Sequence, residues 1–328
     1  MRRGAEGPGR AMDRRDFLRI GAGGVIGAGG LGLLPGALDA FGSQEEATRL
    51  VILHTNDTHS RIDPFPMDGG RMQGMGGVAR RAALVDQIRA ENPNVLLLDS
   101  GDIFQGTPYF NFFGGEVEFR AMSMMGYDVA TLGNHDFDLG IDGLINALPH
   151  AEFEFVSANY AVEGTALEPH VRPWTIRDVG GVRVGIFGLG IELDRLVPEP
   201  LFSGVRYSDP IAAARRSCGE LRDEGCALVI CLSHLGYQYP GSKVSDTVLA
   251  QAVPEIDLIL GGHTHTFMDR PDRYPDPSGA PRETLVHQVG WGGVRLGRID
   301  VVFDPAGEVG ETVASGYDVS TVAPMRRG

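Results

Sequence analysis

Five of the nine histidines stand in short polar stretches directly after apolar runs: His59, His135, His234, His263 and His265. Asp57, Asp102 and Asn134 share those stretches. Asp57-x-His59 and His263-x-His265 each offer two ligands from one segment. Alternate residues of an extended segment point to opposite sides, so each pair could straddle two ions or the two lobes of one. A carboxylate such as Asp102 can bridge two cations through its two oxygens, and the neutral amide oxygen of Asn134 suits a hard divalent ion. Mixed imidazole, carboxylate and amide donors point to a centre of two divalent metal ions (Mn, Zn, Mg, Fe, Co or Ni), not to a thiolate site. Taken singly, the elements have plainer readings. Asp102 after a glycine could be a turn or cap residue, and His234 a satisfied core histidine. The full set in this order argues for the metal centre. His54, His150, His170 and His287 lack such a setting and read as structural or surface residues.

The elements that must position these groups alternate strand, loop and helix. Apolar runs at 50–53, 95–98, 129–132, 182–189, 227–232 and 256–260 read as buried strands, with further strands at 285–289 and 298–303. Residues 77–91 have helical spacing, with Ala82, Val85 and Ile88 on one face, and 212–222 read as a helix stopped by Gly225. Short apolar strands interleaved with helices favour an α/β layered domain. The polar groups follow the carboxyl ends of the strands, where open α/β sheets place ligands. There is no internal repeat and no composition shift that divides the chain. Residues 270–282, rich in Pro, Asp and Arg, read as an exposed loop.

Composition narrows the class. The 328 residues carry a formal net charge of −14 and 42% hydrophobic side chains, which excludes a wholly disordered chain. The acidity argues against binding nucleic acid by phosphate neutralisation. No apolar run of about 18 residues appears, which excludes a multi-span membrane protein. Lys243 is the sole lysine, an arginine bias that reads as compositional. Three cysteines, Cys218, Cys226 and Cys231, are too few for a disulfide framework; they read as buried thiols, with a Cys218–Cys226 bridge as the alternative. Asp13-Arg14-Arg15-Asp16-Phe17-Leu18-Arg19, followed by a glycine-diluted apolar stretch, resembles a twin-arginine export signal over residues 1–40. Periplasmic or extracytoplasmic placement follows, with no membrane span after cleavage. Met1 and Met12 are both available as starts.

Asn56-Asp57-Thr58-His59, Gly101-Asp102, Gly133-Asn134-His135-Asp136, Ser233-His234 and Gly262-His263-Thr264-His265 resemble the motifs of the calcineurin-like metallophosphoesterases. The wording at 53–59, 101–108 and 133–138 is similar to their exported 5′-nucleotidase and UDP-sugar hydrolase branch. The resemblance implies a four-layer α/β/β/α sandwich of two mixed sheets with flanking helices, over residues 48–320. It implies that Asp57, His59 and His265 hold one metal, that Asn134, His234 and His263 hold the other, and that Asp102 bridges them. His135 would be the catalytic histidine and Asp138 its paired carboxylate, with Asp136 a rival for that second role. The substrate would be a small phosphate ester, chiefly a 5′-nucleotide. A sulfate-thiol hydrolase, a 2′,3′-cyclic nucleotide phosphodiesterase and a UDP-sugar hydrolase are the alternatives. Two-domain members of the branch add a nucleotide-binding domain after the metal domain. Only residues 266–328 follow His265 here, so a separate chain would supply that domain, or substrates with little base recognition would be accepted. Phe104, Tyr109, Phe110, Phe112 and Phe113 form an aromatic-rich stretch after Asp102 that reads chiefly as packing for a helix.

Overall fold

Alternation along the first strand sets the architecture. In β1 (Thr48–Thr55), Leu50 and Ile52 turn to one face and Val51 and Leu53 to the other, and all four are buried. A strand apolar on both faces needs a layer on each side. Leu50 and Ile52 join Leu96, Leu98, Val184, Ile186, Ile230 and Leu260 between two sheets. Val51 and Leu53 join Leu84, Val85 and Ile88 of α1 (Val78–Glu91) and Phe119 of a later helix. Beyond the second sheet, Phe187, Val229 and Cys231 pack against Ala213, Ala214 and Leu221. The order is helix, sheet, sheet, helix, the α/β/β/α sandwich that the resemblance implied. This computed structural model describes residues 47–304 and 309–321; the twin-arginine stretch lies outside the described residues.

The first sheet is ordered β15-β14-β1-β2-β3-β4-β6. Its added members are β2 (Val95–Asp99), β3 (Val129–Thr131), β4 (Glu154–Val156), β6 (Val171–Arg172), β14 (Arg295–Phe303) and β15 (Val309–Asp318). The strands from β1 through β6 run parallel, and β14 and β15 close one edge antiparallel. The second sheet is ordered β12-β13-β11-β10-β8-β7. It comprises β7 (Trp174–Val179), β8 (Val182–Leu189), β10 (Leu228–Ser233), β11 (Leu258–Gly261), β12 (Asp272–Pro275) and β13 (Glu283–His287). Four of these, β8, β10, β11 and β13, are parallel. A small antiparallel pair, β5 (Tyr160–Ala161) with β9 (Arg206–Tyr207), lies outside both sheets.

Helices α2 (Pro108–Phe113), α3 (Glu116–Met125), α4 (Gly140–Ala147), α5 (Pro210–Asp223) and α6 (Asp246–Ala252) complete the layers. Two have readable starts. Thr107 accepts from Tyr109 N before α2, and Asp209 accepts from Ala212 N before α5, with Pro in the first turn each time.

The structure corrects some expectations and bears out others. Residues 270–282 are not wholly loop, because 272–275 form the exposed edge strand β12, antiparallel to β13. The aromatic stretch splits: Phe104 and Phe110 are buried, but Phe112 and Phe113 are exposed. All three cysteines are buried free thiols, so no Cys218–Cys226 bridge forms. His54 and His287 are buried and face each other at 2.9 Å, a structural pair. Among the described residues no helix is long and apolar enough to cross a membrane.

The sheets approach closely near their carboxyl ends. A Cβ at Gly188 of β8 would fall inside contact distance of Val156 O and Thr131 Oγ1 across the interface. Gly188→Ala should therefore force the sheets apart and lower stability by about 1–3 kcal/mol, the range for overpacking. Urea unfolding followed by circular dichroism would read this, and an unchanged midpoint would contradict it.

Candidate metal centre

Five strands of the parallel cores, β1, β2, β3, β10 and β11, end in loops that carry the pieces of the site. Asp57 and His59 follow β1, Asp102 follows β2, and Asn134 and His135 follow β3. His234 follows β10, and His263 and His265 follow β11. The structure gathers these into two groups of converging ligand atoms, Asp57–His59–His265 and Asp102–His234–His263, with atoms in each group within 4.8 Å of one another. Asn134 Oδ1 lies 2.9 Å from His263 Nδ1, which places it with the second group. The groups adjoin: His234 Nε2 is 3.1 Å from Asp102 Oδ2 and 4.0 Å from Asp57 Oδ1.

The ligand pairs are not extended. Asp57, His59, Asp102, His263 and His265 have φ of 49°, 48°, 54°, 69° and 52°. They are five of the eight non-glycine residues with left-handed backbone among the described residues. Consequently Asp57 and His59 turn into the same group, whereas His263 and His265 part to different groups. Such backbone costs on the order of 1–3 kcal/mol per residue and persists where the surroundings over-determine it. Cross-links between the loops do so here. Asp57 N donates to Gly101 O at 2.9 Å and His59 N to Asp102 O at 3.1 Å. His263 N donates to the Asp57 carboxylate at 2.9 Å. The β2 and β3 loops press together so closely that a Cβ at Gly133 would overlap the Asp102 carboxylate.

These residues fit divalent cations. Asp57 and Asp102 are both buried, and among the described residues their ion-pair partners within 4.0 Å are the histidines His59, His234 and His265. His234 is fully buried, its Nδ1 lies 2.6 Å from Ser100 O, and its Nε2 makes no hydrogen bond. Burial pulls the His234 imidazole down, yet the charges of Asp102 and Asp57 together lift it to about 10. The two carboxylates thus favour positive charge at this position, which a divalent cation would supply. His59 Nδ1 lies 3.2 Å from Phe104 O, leaving Nε2 aimed inward, 3.0 Å from His265 Nε2. A histidine ligand commonly has its second nitrogen engaged in this way.

Beside the groups, His135 Nδ1 sits 2.9 Å from Asp138 Oδ2, both side chains about a third exposed. The hydrogen bond to Asp138 raises the His135 imidazole above its ordinary value. Asp136 does something else. It is buried and accepts backbone N–H groups of Asp102, Ile103, Phe104 and Gly133, tying the β2 and β3 loops together.

Sequence reasoning missed the supporting residues. Asn56 donates to Asp57 Oδ2 and to Gly290 O, both at 2.6 Å. Gln288 donates to Gly262 O and to buried Asp246, and accepts from Thr264 and Thr266, which clamps the histidine loop. Trp291 stacks on His265 (centroids 5.5 Å, 14°), and Phe65 meets the indole edge-on at 5.2 Å. Gly292 N donates to Asp57 O at 2.7 Å. The available signal was a tryptophan, one of only two, set among glycines in Gly290-Trp291-Gly292-Gly293.

The calcineurin-like phosphoesterase profile matches residues 50–267. The chain is 35% identical over 278 residues to the snake venom 5′-nucleotidase of Gloydius brevicauda, covering 79% of this chain and 46% of that protein. The 5′-nucleotidase of Rattus norvegicus is 35% identical over 280 residues, covering 79% and 47%. Among solved structures, a 5′-nucleotidase precursor from Thermus thermophilus superposes with a TM-score of 0.75 at 35% identity, over 83% of this chain and 54% of that one. The chain thus spans about half the length of the curated relatives it matches.

The His265 side chain is 37% exposed, and the Trp291 ring stacks on its imidazole. Trp291→Ala should weaken Mn²⁺ binding at the Asp57–His59–His265 group by about 10–100-fold, the usual weight of a ligand's supporting contact. Trp291→Phe should retain most of the affinity. Calorimetric titration of metal-stripped protein would decide, and equal affinities in all three would contradict it.

Proposed function

The chain belongs to the calcineurin-like phosphoesterase family, and on that premise we propose that it hydrolyses phosphate monoesters, 5′-nucleotides foremost, at a centre of two divalent ions, with residues 48–320 as the catalytic unit. The observation that carries the proposal is the convergence of Asp57–His59–His265 and Asp102–His234–His263 beside the His135–Asp138 pair. The nucleotide assignment draws support from the relatives, which bear the name 5′-nucleotidase. The Arg14-Arg15 pattern supports twin-arginine export.

In this reading Asp57, His59 and His265 hold one ion, Asn134, His234 and His263 the other, and Asp102 faces both. Bound there, the ions supply a water of lowered pKa and neutralise charge on the phosphoryl oxygens. The protein's own residues do the rest. His135, kept protonated by Asp138, is placed to donate its proton to the leaving oxygen of the ester. Asp138 fixes the ring through Nδ1, which directs Nε2 to the substrate. His135 and Asp138 are partly exposed while Asp57 and Asp102 are buried, so the ester approaches from the histidine side. Asp136 holds the Asp102 and Asn134 loops in register through backbone donors.

Phosphate release from 5′-AMP tests the proposal. Purified protein stripped by chelator should be inactive and should recover with Mn²⁺. His135→Ala should lower kcat by about 10²–10⁴-fold, the weight of general acid catalysis, while binding metal normally. Absence of phosphate release by the metal-loaded chain, or full turnover in His135→Ala, would overturn it.

A further inference from the structure

Every basic residue of this chain but one is arginine, and the exception stands in the loop that follows the candidate ligand His234. Lys243 lies on the loop that leaves β10 through His234 and re-enters the fold at α6. Both stems of that loop are pinned to the centre. Tyr237 N donates to Thr264 Oγ1 at 3.0 Å, and Thr264 separates His263 from His265. Asp246 N donates to Gly236 O at 2.8 Å, and the Asp246 carboxylate accepts from Ser233, the residue before His234. Inside the loop, Tyr239 OH donates to Leu235 O at 2.8 Å. The phenol lies so close to Gly236 that a Cβ there would overlap it, and that Cβ would also press on the Thr264 methyl. Lys243 Nζ is held 4.2 Å above the centre of that ring. Among the described residues, no carboxylate lies within 4.0 Å of this ammonium to neutralise it.

The electrostatics run the same way. The chain as a whole carries −14, which repels a phosphate dianion. A positive group in the loop after His234 counters that repulsion where it matters. Lys243 itself lines a cleft of about 250 Å³ with Ile191, Tyr207, Leu235 and Val244, and Glu192 and Asp209 line it as well, so Lys243 is the cationic side chain of a cleft that has room for an organic group.

We propose that Lys243 is a substrate-binding residue, its ammonium seated by Tyr239 to engage the anionic oxygens of a phosphate ester entering the centre. This rests on the phosphomonoesterase reading and adds a residue to its binding apparatus. Lysine suits the role as a compact, strongly hydrated point charge on a flexible stem.

The experiment compares metal-loaded wild type, Lys243→Ala, Lys243→Arg and Arg120→Ala. Arg120 lies on an exposed helix face and pairs with Glu116, so its loss changes net charge by the same amount away from the Lys243 loop. Lys243→Ala should raise KM for 5′-AMP about 10–100-fold, the weight of one charge-assisted hydrogen bond, with a far smaller change in kcat. Lys243→Arg should recover most of the loss, and Arg120→Ala should leave KM unchanged. The difference between wild type and Lys243→Ala should shrink as salt rises. An unchanged KM in Lys243→Ala, or an equal rise in Arg120→Ala, would overturn the proposal. Orthophosphate affinity, titrated calorimetrically on the same four proteins, separates the two readings. If the wild type does not cleave 5′-AMP, the nucleotidase reading fails; weaker orthophosphate binding in Lys243→Ala would still uphold Lys243, and equal binding would sink it.

Discussion

Two carboxylates, Asp57 and Asp102, are buried within reach of one histidine, His234, that is itself wholly buried. Like charges out of water repel, and each alone is costly to bury. The arrangement is stable only if positive charge sits among them. His234 supplies some when it is protonated, and the charges of Asp102 and Asp57 lift its imidazole to about 10 against its burial. The geometry of the surrounding donors, imidazole nitrogens and carbonyl-type oxygens aimed inward, is that of a cage for cations.

That demand propagates outward through the fold. The ligands come from both sheets, so the sheets must meet at their carboxyl ends, and the absent side chain at Gly188 permits it. The loops must turn sharply enough to aim short side chains inward, and five candidate ligands adopt left-handed backbone to do so. Strain of this kind needs a rigid support. Asp136 gathers backbone donors from the β2 and β3 loops, Gln288 clamps the histidine loop, and Asn56 orients Asp57. Burial raises the Asp136 and Asp246 carboxyls to about 7 each. These groups therefore contribute through hydrogen bonding, and their own ionisation is discouraged by the same burial that makes them rigid.

The fold was largely legible because its strands are apolar on both faces; runs such as 182–189 stand out and match β8 end to end. Short or exposed elements were not. Helices α2 and α4 span six and eight residues, too short to show a clear period, and β12 is an edge strand whose polar residues mimic a loop. The candidate ligands were legible because Asp, Asn and His after strand ends are rare in combination. Their backbone was not, since nothing in Asp57-x-His59 distinguishes an extended segment from a left-handed one. Trp291, Gln288, Asp246 and Lys243 stayed hidden for a further reason: they stand on loops or, for Asp246, at the first residue of α6, and only tertiary packing defines where these lie. For Lys243, the lone lysine was visible in the sequence, but its seat over the Tyr239 ring was not.

Whether the buried cluster holds two cations with Asp102 between them is tested most directly by metal content. The measurement is elemental analysis of protein stripped, reloaded with Mn²⁺ and freed of excess ion by gel filtration. Two ions per wild-type chain are expected, and fewer than one in Asp102→Asn, because loss of the shared carboxylate weakens both positions. One ion or none in the wild type, or two retained in Asp102→Asn, would contradict a shared dinuclear centre.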